Sequence, residues 1–334
     1  MIEYQLRNTE QGPNTFNLAH QGFRIVFMGT PGFAVASLEA LLTAGFQIAG
    51  VVTAPDKPAG RGMKLQQSEV KKCALKHNLP LLQPEKLKDP GFLEALKAWR
   101  ADLQVVVAFR MLPELVWNMP PQGTINLHGS LLPQYRGAAP INWAVINGET
   151  ETGVTTFKLQ HEIDTGNILL QDRLPVGPDE TAGEVHDRMM ELGAQTLVRT
   201  VKGIIDGNLQ AIPQSNLLAD PKTGTPVALK PAPKIFQATC RIDWNRSIHD
   251  IHNLIRGLSP VPGAFTDLGD QVIKIFRSEK EAAIPGSRPG RWETDKKTYL
   301  KFAAPDGYIR ILELQLEGKK RMPVGDFLRG YHFH

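Results

Sequence analysis

The chain is short of cysteine, of long apolar runs and of any large excess of one charge. Two cysteines, Cys73 and Cys240, cannot build a disulfide framework, and each reads as a plain thiol. A reducing, cytoplasmic setting is expected. No apolar run reaches the roughly 20 residues that cross a bilayer, so no membrane partner is expected. Residues 1–22 are polar and aperiodic and lack the charged-then-apolar order of a secretory signal, so they read as an N-terminal extension. Internal repeats and low-complexity tracts are missing as well, which excludes solenoid and fibrous classes. What is present is an ordinary globular composition, 42% hydrophobic and 22% charged, over 334 residues. That length suits two domains better than one.

Net charge is +4, but its distribution is uneven. Residues 1–221 hold 19 Lys+Arg against 22 Asp+Glu, a net of −3, whereas residues 222–334 hold 19 against 12, a net of +7. A basic C-terminal part suits a polyanionic partner, although a merely soluble surface would look the same.

Hydrophobic periodicity organises the chain. Residues 23–28 form a nearly continuous apolar strand, followed by Gly29-Thr30-Pro31-Gly32 and a helical pattern that carries Phe33, Leu38, Leu41 and Leu42 on one face. Further strands are predicted at 48–53, 81–82, 103–108, 124–127, 154–159 and 168–170. Helices are predicted at 68–77, 91–99, 140–147 and 182–205. This alternation predicts a Rossmann-like, doubly wound α/β domain with a parallel sheet. Residues 217–234, with Pro221, Gly224, Pro226, Pro231 and Pro233, read as a linker. Beyond a helix at 248–258, short strands at 264–266, 272–276, 298–302 and 308–314 predict a small β-barrel or sandwich. The Gly29–Gly32 turn lacks the G-x-G-x-x-G spacing of a dinucleotide site, and no phosphate-loop lysine follows it, so nicotinamide and ATP are not expected.

Chemistry concentrates in three stretches. The first is Asn126-Leu127-His128-Gly129-Ser130-Leu131-Leu132-Pro133-Gln134-Tyr135-Arg136-Gly137, which starts at the end of a buried strand. Strand alternation puts Asn126 and His128 on the same face. The amide can donate to a carbonyl oxygen that becomes an oxyanion, and the imidazole can donate or move a proton. Ser130-Leu131-Leu132-Pro133 is a rigid bend with backbone groups open to a flat, hydrogen-bonding ligand. The second stretch is His161-Glu162-Ile163-Asp164-Thr165-Gly166-Asn167, a polar loop between apolar strands. Asp164 either reaches the site or simply makes a turn, and the residues alone leave both open. The third, Pro55-Asp56-Lys57-Pro58-Ala59-Gly60-Arg61-Gly62-Met63-Lys64, is a basic loop able to clamp phosphate, or a solvated one.

Together these stretches resemble the folate-dependent formyltransferases. Phe27-Met28-Gly29-Thr30-Pro31, the 56–64 loop, Arg241-Ile242-Asp243-Trp244, Ile255-Arg256-Gly257-Leu258-Ser259-Pro260 and Gly318-Lys319-Lys320-Arg321-Met322 are similar to the branch that formylates methionyl-tRNA. The resemblance spans about residues 23–332. It implies a formyltransferase domain over 23–216, the linker 217–234 and an OB-like, tRNA-binding barrel over 235–334. It implies transfer of the formyl group of 10-formyltetrahydrofolate to the amino group of methionyl initiator tRNA, with no metal, in a monomer. By motif position, Asn126, His128 and Asp164 would be the catalytic trio, and Ser130, Leu131, Leu132 and Pro133 would meet the folate. Arg61 and Lys64, with Lys319, Lys320 and Arg321, would meet tRNA. The chain departs from the family in its N-terminal extension, in Phe109-Arg110 where Tyr-Gly is usual, and in Met63 where some members have lysine.

Two other readings compete. One is formyl transfer to a small amine, such as glycinamide ribonucleotide or an amino-sugar nucleotide. The basic barrel, and the lack of the further dinucleotide-binding domain expected of sugar enzymes, argue against it. The other is RNA binding without catalysis, against which the intact trio argues.

Overall fold

In the computed structural model, the described residues are 22–59, 64–219 and 223–331. Most of the extension therefore lies outside them, as do Arg61 and Met63. The elements follow in chain order as β1 (Arg24–Gly29), α1 (Gly32–Thr43), β2 (Gln47–Val52), β3 (Lys57–Ala59), β4 (Lys64–Gln66), α2 (Glu69–Lys76), β5 (Leu81–Leu82), α3 (Pro90–Ala98), β6 (Leu103–Val107), α4 (Glu114–Trp117), β7 (Thr124–His128), α5 (Pro140–Ile146), β8 (Glu151–Lys158), β9 (Ile168–Pro175) and α6 (Ala182–Ile205). After a 3-10 turn at Gln214–Leu217 come α7 (Gln237–Cys240), α8 (Ile248–Gly257), β10 (Ala264–Leu268), β11 (Gln271–Ala282), β12 (Trp292–Thr294), β13 (Leu300–Ala304), β14 (Gly307–Leu316), β15 (Met322–Pro323) and α9 (Val324–Gly330).

The first seven-stranded sheet has the order β5-β2-β1-β6-β7-β8-β9. Strands β5 through β7 are parallel, whereas β8 and β9 run antiparallel. The expectation of a parallel sheet therefore holds up to β7 and changes at the edge, where β8 follows β7 through α5 and reverses. The central strands are apolar on both faces because both faces are covered. Ile25, Phe27, Leu103, Val105 and Ile125 join the core with Leu38 and Leu41 of α1 and with Met189 and Leu197 of α6. Val26, Met28 and Val106 point the other way, toward Phe92 and Leu96 of α3 and Val116 of α4. Helix α6 begins at a capping box, in which the Thr181 hydroxyl accepts from the Glu184 N–H and the Glu184 carboxylate accepts from the Thr181 N–H.

The second sheet has the order β10-β11-β14-β13-β12, with β15 paired to β14, and all its pairings are antiparallel. It curls into a half-barrel whose inner face packs on α8 through Ile251, Ile255, Ile275, Phe302 and Ile311. The short hairpin β3–β4, strand β12 and helix α9 are additions to the sequence reading. Each is short or flanked by Gly and Pro, so periodicity carries little signal there. No helix of the described residues is long and apolar enough to cross a membrane.

The two units meet where α5 packs against α8. A Cβ on Gly257 would lie 2.5 Å from Ile146 Cγ1 and 2.8 Å from its backbone N. Asn142 Nδ2 donates to the Gly257 carbonyl at 2.8 Å. Buried Arg256 donates to the carbonyls of Gly177 and Glu180 at 3.2 and 3.0 Å. His252, 2% exposed, has Nδ1 3.0 Å from Ser278 Oγ and Nε2 3.0 Å from Asp179 Oδ1. Burial holds its pKa below the usual imidazole value, with Lys280 acting in the same direction and Asp179 against it.

Gly257→Ala is expected to destabilise the protein by about 1–3 kcal/mol in urea unfolding, because the forced contact outweighs alanine's helix preference. A gain in stability would remove the close contact from the account. As pH falls below about 6.5, the unfolded chain takes up the His252 proton before the folded one does, so stability declines through that window. His252→Asn should flatten the loss of urea midpoint between pH 7.5 and 5.5. An unchanged slope would exclude His252 as its source.

Candidate active site

Strand β7 presents Asn126 and His128 at its C-terminal end, beside β8, with Asn126 opposite Phe157 and His128 opposite Thr155. The same-face expectation follows from the register. His128 is 7% exposed and its ring stands edge-on to Phe157, with centroids 6.5 Å apart. Nε2 lies 2.9 Å from the carbonyl oxygen of Tyr135. A carbonyl only accepts, so Nε2 carries a proton and donates it. Nδ1 faces Asp164, with Oδ2 at 3.9 Å. That is ion-pair range and too long for a direct hydrogen bond. The Asn126 amide is half-buried and has no hydrogen-bond partner among the described residues.

Asp164 sits in the β8–β9 loop at φ +55°, a left-handed conformation that Asp tolerates better than most side chains. Its carboxylate accepts from the Gly137 N–H at 2.9 Å. Its own carbonyl, and that of Gly166, accept from Gln214 Nε2 at 2.8 and 2.9 Å. Gln214 Oε1 in turn accepts from Arg136 Nε and Nη2 at 3.1 and 2.5 Å. Gly166 is obligatory here, since a Cβ would lie 1.6 Å from the Lys158 carbonyl oxygen. Of the two sequence readings for Asp164, the tertiary structure brings its carboxylate into the site.

The Ser130–Pro133 bend is a frame rather than a row of open donors. Ser130 Oγ donates to the Gln134 carbonyl at 2.7 Å. Thr155 Oγ1 donates to the Ser130 carbonyl at 2.6 Å and accepts from Leu132 N–H and Gln171 Nε2 at 3.1 and 2.9 Å. The Leu132 carbonyl accepts from Gln171 as well, at 2.8 Å, and the Leu131 carbonyl accepts from the Gln134 N–H. Leu132 is 2% exposed, and the Leu132–Pro133 peptide is cis. The carbonyls of Ser130, Leu131 and Leu132 and the Leu132 N–H are thus engaged inside the protein.

The segment beyond α6 reaches the site too. The Tyr135 N–H donates to the Lys230 carbonyl at 2.7 Å, the Ala138 N–H to the Ala232 carbonyl at 2.7 Å, and the Ala232 N–H to the Arg136 carbonyl at 2.8 Å. Gly137, at φ +124°, admits no side chain because a Cβ would lie 2.5 Å from the Ala232 carbonyl oxygen. The Tyr135 hydroxyl bonds to Glu149, which also pairs with Lys230 Nζ at 2.6 Å. Burial, and then Glu149, push the Tyr135 phenol above its ordinary range. Residues 228–232 fall in the linker expected from the sequence and Gln214 just before it, and nothing in their local pattern marks them.

Elsewhere the expected residues are dispersed. Arg61 lies outside the described residues, and Lys64 opens β4, its backbone paired with Ala59. The base of that loop is anchored by Asp56, whose carboxylate accepts from Lys71 Nζ at 2.6 Å and Gln83 Nε2 at 2.9 Å and is held below the usual carboxylate range by them. Lys319 and Lys320 are exposed in the β14–β15 turn and have no ion pair among the described residues. Arg321 is committed, gripping both Glu313 oxygens at 2.6 and 2.5 Å above the Phe276 ring. Arg110 donates to the carbonyls of Glu85 and Pro84, tying the loop after β6 to the loop after β5.

Glu39, Cys73 and His77 bring three potential metal ligands within 4.8 Å of one another. Their atoms already satisfy one another, with Glu39 accepting from Lys76 Nζ at 3.1 Å and lying 2.8 Å from His77 Nε2. Burial and Glu39 push the Cys73 thiol up to about 11, which disfavours the thiolate a metal would need.

Comparison with known proteins agrees with this geometry. The formyl transferase family model matches residues 23–201, and the model described as formyl transferase, C-terminal domain, matches residues 234–332. A methionyl-tRNA formyltransferase of Bacteroides fragilis is 54% identical over 317 residues, 93% of this chain and 96% of the relative. One of Azobacteroides pseudotrichonymphae is 55% identical over 314 residues, 92% of this chain and 95% of the relative. Among solved structures, a sugar 3N-formyl transferase crystallised with dTDP and 5-N-formyl-THF aligns with a TM-score of 0.63 at 21% identity, covering 89% of this chain and 99% of its own. An N-formyltransferase from Helicobacter canadensis, in complex with folinic acid and dTDP-3-aminofucose, aligns with a TM-score of 0.62 at 20% identity over the same shares. These two share the fold from end to end, so the expected extra domain does not separate sugar enzymes from this chain. Both halves of the chain match the family and near-full-length relatives exceed 50% identity; the chain belongs to the formyl transferase family.

Proposed function

We propose that this chain transfers the formyl group of 10-formyltetrahydrofolate to the α-amino group of methionyl initiator tRNA, giving N-formylmethionyl-tRNA. The observation that carries the reading is identity above 50% along almost the whole chain with proteins of that name. The likeness to sugar N-formyltransferases is a likeness of fold at about one-fifth identity and does not compete with it. We take residues 23–216 as the catalytic domain, 217–234 as the connector and 235–334 as the tRNA-binding domain.

The geometry fits formyl transfer. An aminoacyl ester amine is largely neutral near pH 8 and attacks the formyl carbon directly. The tetrahedral intermediate carries an oxyanion, and the unpartnered Asn126 amide is the donor for it. Because Nε2 is committed to the Tyr135 carbonyl, Nδ1 is the working nitrogen of His128. Asp164, already bound by the Gly137 N–H, accepts the proton lost by the amine. His128 Nδ1 takes that proton from Asp164 across the 3.9 Å pair and gives it to the folate nitrogen as its bond to the formyl carbon breaks. Asp164 is then a carboxylate again and Nε2–H is still bonded to the Tyr135 carbonyl, so the enzyme is unchanged. The formyl donor and the acceptor supply all the bonds made and broken, so these residues move protons and stabilise charge. Ser130, Leu131, Leu132 and Pro133 frame the folate pocket. Lys319 and Lys320, with Arg61 and Lys64, meet phosphates, and Arg321 braces their turn through Glu313.

Purified protein with 10-formyltetrahydrofolate should formylate methionyl initiator tRNA and not the elongator form. Asn126→Ala and His128→Ala should each lower kcat by about 10²–10³. Turnover of an amino-sugar nucleotide instead, with none on tRNA, would replace this reading by its rival. Lys319→Ala with Lys320→Ala should weaken tRNA binding and lower the slope of log affinity against log salt by about two, one per lysine. An unchanged slope would remove this turn from the tRNA interface.

A further inference from the structure

Each group that sets the His128–Asp164 geometry is itself held by chain lying beyond α6. The Tyr135 carbonyl receives His128 Nε2, and the Tyr135 N–H is bonded to Lys230. Tyr135 stands at φ +58°, a conformation that costs about 1–3 kcal/mol unless its neighbours impose it. The Gly137 N–H holds the Asp164 carboxylate, and Gly137 forms a parallel bridge with Ala232. Gln214 fastens the Asp164 loop from outside it, through two carbonyls 50 and 48 residues away in sequence. Gln214 is 3% exposed, and all its side-chain hydrogen-bonding groups point at this loop and at Arg136. A linker that only tethered two domains would need none of these bonds.

We propose that Gln214, just before the connector, and Lys230 and Ala232 within it are positioning residues of the active site, the Gln214 amide and the backbone of Lys230 and Ala232 holding His128 and Asp164 in register. The proposal rests on the formyl-transfer reading for its kinetic test, but not for its structural one. Gln214 touches no reacting atom. It acts through Asp164, whose carbonyl it anchors while the carboxylate three bonds further on works. Arg136 adds a second tie from the His128 side of the site to the same amide. A shift of about 1 Å between groups that exchange protons lowers turnover by about 10²-fold. Loosening the clamp therefore lowers kcat and leaves substrate binding alone. The connector leads directly into the second unit, so tension there reaches the His128–Asp164 pair through backbone bonds.

The test is Gln214→Met, which keeps length and removes the donors and the acceptor, beside Gln214→Glu, which keeps the acceptor for Arg136 and removes the donors to Asp164 and Gly166. Both are made in the full chain and compared with wild type by steady-state kinetics and by ¹⁵N NMR of the His128 imidazole. The expected result is a kcat lower by about 10²-fold in both variants, with KM for folate and tRNA within about twofold. The imidazole of wild type should show a single Nε2–H tautomer, and that of Gln214→Met a mixture. A kcat within threefold of wild type in the folded variants, or a loss wholly in KM, would overturn the proposal. So would an unchanged imidazole signal. If wild type itself turns over no methionyl-tRNA, the functional reading fails, while the imidazole signal still decides whether Gln214 positions the pair. Should Gln214→Met not fold, Gln214→Glu carries the same comparison.

Discussion

The hydrogen bond from His128 Nε2 to the Tyr135 carbonyl, 2.9 Å long, governs which ring nitrogen is left for chemistry. Imidazole has two nitrogens, and a carbonyl that can only accept commits one of them as a donor. Nδ1 is then turned toward Asp164, beside an Asn126 amide that has no hydrogen-bond partner among the described residues, and in the proposed mechanism the pair relays the proton. The surrounding structure serves this arrangement. Strand β7 supplies Asn126 and His128 from one face, antiparallel β8 closes that side, and the β8–β9 loop returns Asp164 to them. Two residues of the site, Tyr135 and Asp164, sit in left-handed backbone. Such conformations survive where neighbours over-determine them, and here the neighbours are Lys230, Gly137 and Gln214.

The same economy joins the two units. Glu184 caps α6 and also pairs with Arg277 of β11, so the start of the longest helix is a domain contact. Arg256 is desolvated at the junction, which lowers its pKa, and its donors are taken up by carbonyls of the Gly177–Glu180 turn. Gly183 leaves room there for the Pro260 ring, and Gly257 for the backbone and side chain of Ile146. On the proposed reading, a basic second unit fixed in this way, with Lys230 and Ala232 bonded beside His128 and Asp164, holds a tRNA acceptor and the chemistry in one frame.

Much of this was legible beforehand where the signal is local. The bounds of α6 at residues 182–205 follow from apolar periodicity, and the structure places them there. Asn126 and His128 share a face because strands alternate. The antiparallel turn at β8 was not legible, since an apolar strand reads the same in either direction. The half-barrel's strands were found, but its pairing order and the small β12 and β15 were not. The Ser130–Pro133 bend was legible as rigid. That Thr155 and Gln171 take the Ser130 carbonyl and both backbone groups of Leu132 depends on strands that only meet in space.

Sequence by itself thus determined the fold class, the separation of an acidic from a basic half, the candidacy of Asn126 and His128, and, by resemblance, the family. Each of these is written in periodicity, composition or a contiguous motif. Only the tertiary structure decided that Asp164 faces His128, that the ring presents Nδ1, and that Gln214 and the connector hold both. The last of those facts rests on hydrogen bonds between residues about 50 to 80 apart, such as Gln214 to Asp164 and Arg136 to Gln214, and the first two on contacts that form only when the loops after β7 and β8 meet. A buried amide looks like any other glutamine until the chain closes and its donors and acceptor find their only partners.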